Sequence, residues 1–276
     1  MLDVSPPEMV SAAAAAGFDF VGIRVTTGGP GEEPWPLAPG SPLLTETLAR
    51  LDDTGLFVNE VEVLPVRADT TPSGAEAAMD IAAELGAHHL IAFVEDDDLE
   101  RAADTLAALS GPASAHGLRI LVEPMSYKAV HSFAQARTLI ETAPEIGIVV
   151  DPLQMARCGD TLDDVRALDP ATVPFVQMCD GPLLPPGELP RTGPLPRGQS
   201  SGTSVTQLEA RAWRLPPGEG ELPLAELAAI WPDTPLSLES PNLGLSSLLD
   251  PVSLARRHRA GLDRVLGSRA ANRHVG

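Results

Sequence analysis

The chain has 276 residues, of which 43% are hydrophobic and only 4% aromatic, and its formal net charge is −19. That length fits one large domain or two ordinary ones, with a core built mainly of Ala, Leu and Val. The acidic balance argues against nucleic acid and anionic membranes as partners, because both are bound through basic footprints.

The start, Met1 to Pro6, has no basic stretch and no long apolar stretch, so no signal peptide is expected. The run Ala12 to Ala16 is too short to span a bilayer. Cys158 and Cys179 form no C-x-x-C pair, which fits a reduced, cytoplasmic setting.

In chain order, Pro6 to Ala16 reads as a helix, with Ser5 as N-cap and Gly17 as its stop. Phe18 to Val25 reads as a strand, Leu43 to Leu51 as a helix and Leu56 to Leu64 as a strand. Ser73 to Leu85 is a helix closed by Gly86, and His89 to Val94 a strand. Leu99 to His116 is a helix; the acidic run Glu95 to Asp98 before it suits its N-terminus. Arg119 to Glu123 (strand), Val130 to Thr142 (helix), Ile146 to Asp151 (strand) and Thr161 to Leu168 (helix) follow. Phe175 to Asp180 is a strand, Leu222 to Ile230 a helix, Leu236 to Glu239 a strand and Val252 to Leu266 the last helix. Residues 181–207, rich in Pro, Gly, Ser and Thr, are too long for an ordinary connection and are expected to be a lid or an insertion. Residues 269–276 are expected to be a flexible tail to a single domain of 1–268.

Strict alternation of seven strands with eight helices implies an α/β fold with a parallel sheet. No Gly-rich phosphate loop follows an early strand, which disfavours an open doubly wound sheet. The expected fold is a (β/α)8 TIM barrel whose first strand is short or missing. Met1 to Val4 is barely long enough to supply it. An unpaired edge is usually covered, so these residues, another loop or a second subunit should fill the gap, the last making a homodimer.

Four polar residues close or follow short apolar runs: Glu123, Asp151, Gln177 and Glu239. A carboxylate at a buried strand tip is costly unless paired or bound to a cation. Three acids and one amide at the mouth of a barrel read as oxygen ligands of a divalent metal. Each has a plainer reading: a salt bridge for Glu123 and Glu239, a loop cap for Asp151, backbone partners for Gln177. Arg24, at the end of a strand, suits a substrate contact or an ion pair. Lys128, on the loop after Glu123, is within reach of a substrate or a phosphate.

The order and strand placement of several short motifs resemble the sugar phosphate isomerase/epimerase superfamily, which also holds xylose isomerase-like barrels and endonuclease IV. The motifs are Ala15-Ala16-Gly17-Phe18-Asp19, Leu121-Val122-Glu123-Pro124, Val150-Asp151-Pro152, Gln177-Met178-Cys179-Asp180-Gly181, Arg214 to Gly220, and Leu238-Glu239-Ser240. The resemblance implies metal ligands in the order Glu, Asp, His, Glu, which fall on Glu123, Asp151, Gln177 and Glu239. The third departs from the pattern, and Gln154 stands where relatives often have a second histidine. An amide oxygen still suits Mn²⁺ or Mg²⁺, but the loss of both imidazoles argues against a trinuclear zinc endonuclease. The resemblance also implies that Arg214 contacts substrate; Gln154 and Asp180 are further candidates for substrate contact, Asp180 alternatively orienting Arg214 or capping the lid. The activity it implies is isomerisation or epimerisation of a sugar, keto-sugar or polyol derivative, with Glu123 and Glu239 moving the proton next to a carbonyl. Alternatives on the same site are a lyase acting on a 3-keto glycoside or natural-product intermediate, and a barrel that binds sugar without turning it over.

Overall fold

The computed structural model describes residues 1–190 and 195–272. Its elements alternate as α1 (Pro6–Ala15), β1 (Phe20–Arg24), α2 (Pro42–Thr54), β2 (Phe57–Val66), α3 (Pro72–Glu84), β3 (His89–Val94), α4 (Leu99–Ala115), β4 (Arg119–Val122) and α5 (Phe133–Thr142). The order continues with β5 (Gly147–Ile148), α6 (Pro152–Cys158), α7 (Leu162–Arg166), β6 (Val176–Met178), α8 (Val205–Ala212), α9 (Leu224–Ile230), β7 (Leu236–Leu238), α10 (Leu243–Ser246) and α11 (Pro251–Asn272).

Helix starts follow their capping side chains. Ser41, Thr71, Asp98 and Ser132 each accept the amide three residues on, at the heads of α2 to α5. This satisfies donors that the first turn leaves free. Proline opens α1, α2, α3 and α6, where its missing N–H loses nothing. Ser132 sets the start of α5, three residues later than the apolar pattern suggests. Asp98 caps α4, as the acidic run implies.

The strands β1 to β5 form one parallel sheet in sequential order, and β6 and β7 form a parallel pair. A parallel bridge from Val150 to Val176 joins the two parts into one curved ribbon. Ile91, Leu121, Val149 and Phe175 project from successive strands into a buried layer inside it. The larger core lies between the strands and the surrounding helices. This is the expected barrel architecture, with its first strand missing.

Among the described residues no strand joins β7 to β1. A cavity of about 770 Å³ lies between their facing edges, bordered by Phe20, Gly22, Leu236 and Leu238 and backed by α1 and α11. Met1 to Val4 does not supply the strand. It closes a turn through Val4 N–H and the Met1 carbonyl, and it lies across the mouth, where the Leu2 carbonyl accepts from Trp35 Nε1 at 3.0 Å. Of the three expected covers for the edge, Met1 to Val4 is therefore excluded as a strand, since a segment folded into one turn cannot also run the length of β1. The expected tail overlaps the last turn of α11 and then leaves the described residues. No described helix is long and apolar enough to cross a membrane.

Glu60 of β2 reaches over Gly22 to this seam. A Cβ on Gly22 would sit 2.7 Å from Glu60 Oε1, so a side chain there would displace the Glu60 carboxyl. Glu60 accepts from Ser237 Oγ at 2.5 Å and from Asn59 Nδ2 at 2.6 Å. Burial pushes its pKa up to about 7, against the pull of those two hydrogen bonds. Folded Glu60 therefore keeps its proton between pH 4.5 and about 7, while the unfolded chain loses it. Stability should fall across that window by about 3 kcal/mol and level off above it. Glu60→Gln removes that component, so the variant should be the more stable at pH 8 and lose its advantage towards pH 4.5. Urea midpoints across this range would check it, and parallel pH profiles for both proteins would refute it.

Candidate active site

Of the four expected ligands, Glu123, Asp151 and Glu239 converge at the C-terminal mouth of the ribbon. Glu123 follows β4, Gln177 lies in β6, and Glu239 follows β7. Asp151 follows the bridge residue Val150 and caps α6, its Oδ1 accepting the Gln154 amide at 2.8 Å. One ligand oxygen from each of Glu123, Asp151 and Glu239 lies within 4.8 Å of the others, and this is the only such acidic, Cys or His cluster among the described residues.

Their hydrogen bonding is incomplete. Glu123 Oε1, Gln177 Oε1 and Glu239 Oε2 are buried atoms without a hydrogen-bond partner. Native interiors rarely leave such atoms unmatched. Arg214 supplies part of the answer: its Nη1 donates to Asp151 Oδ2 at 2.5 Å and to the Glu239 carbonyl at 3.0 Å. It also lies 3.0 Å from Glu239 Oε2, near enough for an ion pair but without hydrogen-bond geometry. One guanidinium faces three carboxyl groups, so full ionisation would leave negative charge in excess.

The electrostatics reflect that excess. Burial, then repulsion from Glu239 and Asp151, holds the Glu123 carboxyl well above its usual range. Burial lifts Glu239 to about 8, although Arg214 pulls the other way. For Arg214 burial works against the charge, but Asp151 and Glu239 outweigh it and strengthen its hold on the proton. A hard divalent cation suits this set of three carboxylates, all oxygen donors, two of them offering an unmatched atom.

The remaining predicted residues are placed differently. Arg24 lines the cavity and pairs with Glu62 at 3.0 Å and Glu32 at 3.3 Å. Gln154 is buried beneath the wall, its Nε2 donating to Tyr127 Oη at 3.1 Å. Asp180 is also beneath the wall, and its carboxylate accepts from the amides of Gly181, Gly218 and Leu222. It thereby fixes the turn that follows Arg214. A Cβ on Gly220 would lie 2.4 Å from Asp180 Oδ1, which is why that turn needs glycine there. Residues 181–207 cross the mouth in part: Pro196 and Gln199 line the cavity, and the Arg197 guanidinium stacks 4.1 Å above the Trp35 ring. Residues 191–194 of this segment lie outside the described residues.

Tyr127 is a cavity-lining residue that sequence reasoning missed. It is the only tyrosine of the chain, lines the cavity, and has its hydroxyl held protonated by burial and by nearby Glu123. Its position four residues after Glu123, on the same loop, is the signal that would have found it.

The family model described as "Xylose isomerase-like TIM barrel" matches residues 10–260. The chain belongs to that family. Among solved xylose isomerase-like barrels it is similar to a xylose isomerase-like TIM barrel/4-hydroxyphenylpyruvate dioxygenase fusion protein, with 24% identity and a TM-score of 0.70. That match covers 96% of this chain and 40% of the fusion protein. It is also similar to the IolI protein solved with a bound zinc atom, at 15% identity and TM-score 0.69, covering 97% of this chain and 95% of that one. A third is D-allulose 3-epimerase from Methylomonas sp., at 15% identity and TM-score 0.64, covering 95% and 92%. At these identities the likeness establishes the shared fold. No curated protein matches the sequence.

Proposed function

We propose that this xylose isomerase-like barrel is a divalent-metal-dependent isomerase or epimerase that relocates a proton next to the carbonyl of a sugar, keto-sugar or polyol derivative. The observation that carries this reading is the close approach of carboxyl oxygens on Glu123, Asp151 and Glu239, with buried oxygens of Glu123 and Glu239 left unmatched among the described residues. The zinc in the IolI protein and the activity named for the D-allulose 3-epimerase support it by likeness.

Glu123, Asp151, Gln177 and Glu239 would hold the ion. When bound, Mn²⁺ or Mg²⁺ would polarise the substrate carbonyl and acidify the neighbouring C–H. Glu123 and Glu239 approach from different strands, so one can remove that proton and the other return it. Arg214 holds Asp151 in place and offers positive charge where oxyanion character develops. Tyr127 keeps its proton and can donate it to a substrate oxygen. The segment around Pro196 to Gln199 would screen the site from water.

Metal content and metal-induced stabilisation test the reading. The purified chain should retain about one Mn²⁺ or similar ion, lost on Glu239→Gln, and gain melting temperature on Mn²⁺ addition. A chain that takes up no ion and is unmoved by Mn²⁺, Mg²⁺, Co²⁺ or Zn²⁺ would leave a metal-free enzyme or a binding protein.

A further inference from the structure

The cations around the cavity mouth are unevenly paired. Lys128, on the loop after β4, gives its ammonium to Glu95 and lies 3.9 Å over the Phe93 ring. Glu95 is shared, since it also accepts from Arg67 Nε at 2.6 Å. Two cations on one carboxylate leave a net positive charge. Arg211, in the last turn of α8, donates Nη1 to the carbonyl and hydroxyl of Ser200, both at 2.7 Å. It has no carboxylate partner among the described residues, and its Nη2 and Nε make no hydrogen bond there. Its field reaches both Tyr127 and Lys128. All three side chains line the cavity that holds Glu123 and Glu239.

This positive corner stands out in a chain of net charge −19. Neither ion binding nor proton transfer calls for it, because those steps are served by the acids and Arg214. A guanidinium with free donors and a half-neutralised ammonium lining one cavity, each within the other's field, can serve the oxygens of a single anionic group.

We propose that Arg211 and Lys128 form an anion subsite, which receives a carboxylate or phosphate on the substrate while its carbonyl end lies between Glu123 and Glu239. The substrate is thus an acidic sugar derivative rather than a neutral one. The assignment rests on the proposed function only for where the reacting end sits.

Calorimetric binding of D-fructose, D-fructuronate and D-fructose 6-phosphate to the full chain tests it, with and without Mn²⁺. At least one anionic probe should bind about tenfold or more tightly than D-fructose, and the margin should shrink at high salt. The tighter of the two identifies carboxylate or phosphate. Arg211→Gln and Lys128→Gln, with melting temperature checked, should bring the anionic probes down to the wild-type affinity for D-fructose. Arg211→Lys should recover part of the margin. Equal binding of all three probes, no binding of either anionic probe, or a margin that survives both substitutions overturns the proposal. Because the metal-free arm is scored separately, a failed metal reading leaves the anionic margin standing, and a failed margin leaves the metal stoichiometry standing.

Discussion

Glu239→Gln should lower hydrogen exchange at the carbon next to the substrate carbonyl by about a thousandfold or more, since it removes both a proton-transfer group and an ion ligand. The fold should survive. Glu239 is 27% exposed, its Oε2 has no hydrogen bond, and its one ionic contact is with an arginine already held by Asp151. The readout is deuterium uptake from D₂O into a panel of neutral and acidic ketoses, followed by NMR on the Mn²⁺-loaded protein. Glu123→Gln should behave alike, because its Oε1 faces the same point. Uptake that persists in both variants removes these two residues from the chemistry. Uptake accompanied by loss of a β-substituent would mark the reaction as elimination from the same carbanion-like species.

Arg157→Ala should be the most destabilising single change away from the site. Arg157, on α6, grips Glu209 of α8 through two hydrogen bonds of 2.7 Å, and each side chain is only 1% exposed. Its Nη2 also donates to the Pro182 carbonyl at 2.8 Å. Truncation leaves Glu209 buried without a counter-charge, which costs about 3–5 kcal/mol. For a chain of this size that lowers the melting temperature by roughly 10 °C. The double variant Arg157→Met/Glu209→Leu should recover most of the loss, because desolvating the ion pair is itself expensive. A loss under about 1 kcal/mol in Arg157→Ala would mean that water reaches Glu209. Arg157 also ties α6, which Asp151 caps, to α8, which leads into Arg214. Its loss should therefore weaken metal binding without touching a ligand.

The convergence on the site was readable because each ligand candidate closes or interrupts an apolar run, and a parallel sheet carries such residues to one face. The same reasoning hid α6: Asp151 was read as the end of a strand, yet it is also the cap of a seven-residue helix that Pro152 opens. Asp151 Oδ1 caps that helix while its Oδ2 accepts from Arg214. Helix α8 begins at Ser204, whose side chain accepts the Gln207 amide, but the Pro, Gly and Ser around it masked the start. Asp180 and Gln154 illustrate a different limit. Their place in the chain suggests substrate contacts, whereas their partners (three amides for one, Tyr127 for the other) are set by loops whose paths depend on tertiary contacts. The positive corner was beyond sequence reading for the same reason. Arg67, Glu95, Lys128 and Arg211 are spread over nearly 150 residues, and only the fold shows that one carboxylate serves two of the cations.

The seam between β7 and β1 gives the candidate centre a second role. Among the described residues β7, three residues long, is paired only with β6, so Glu239 rides on a two-stranded edge, whereas Glu123 stands on the five-stranded part. An ion gripped by both would act as a clasp across the ribbon. Its binding energy would add directly to the stability of the whole fold, and the amides of β7 would exchange with solvent more slowly as the ion concentration rises. Occupancy of the centre and integrity of the barrel wall would then be one equilibrium.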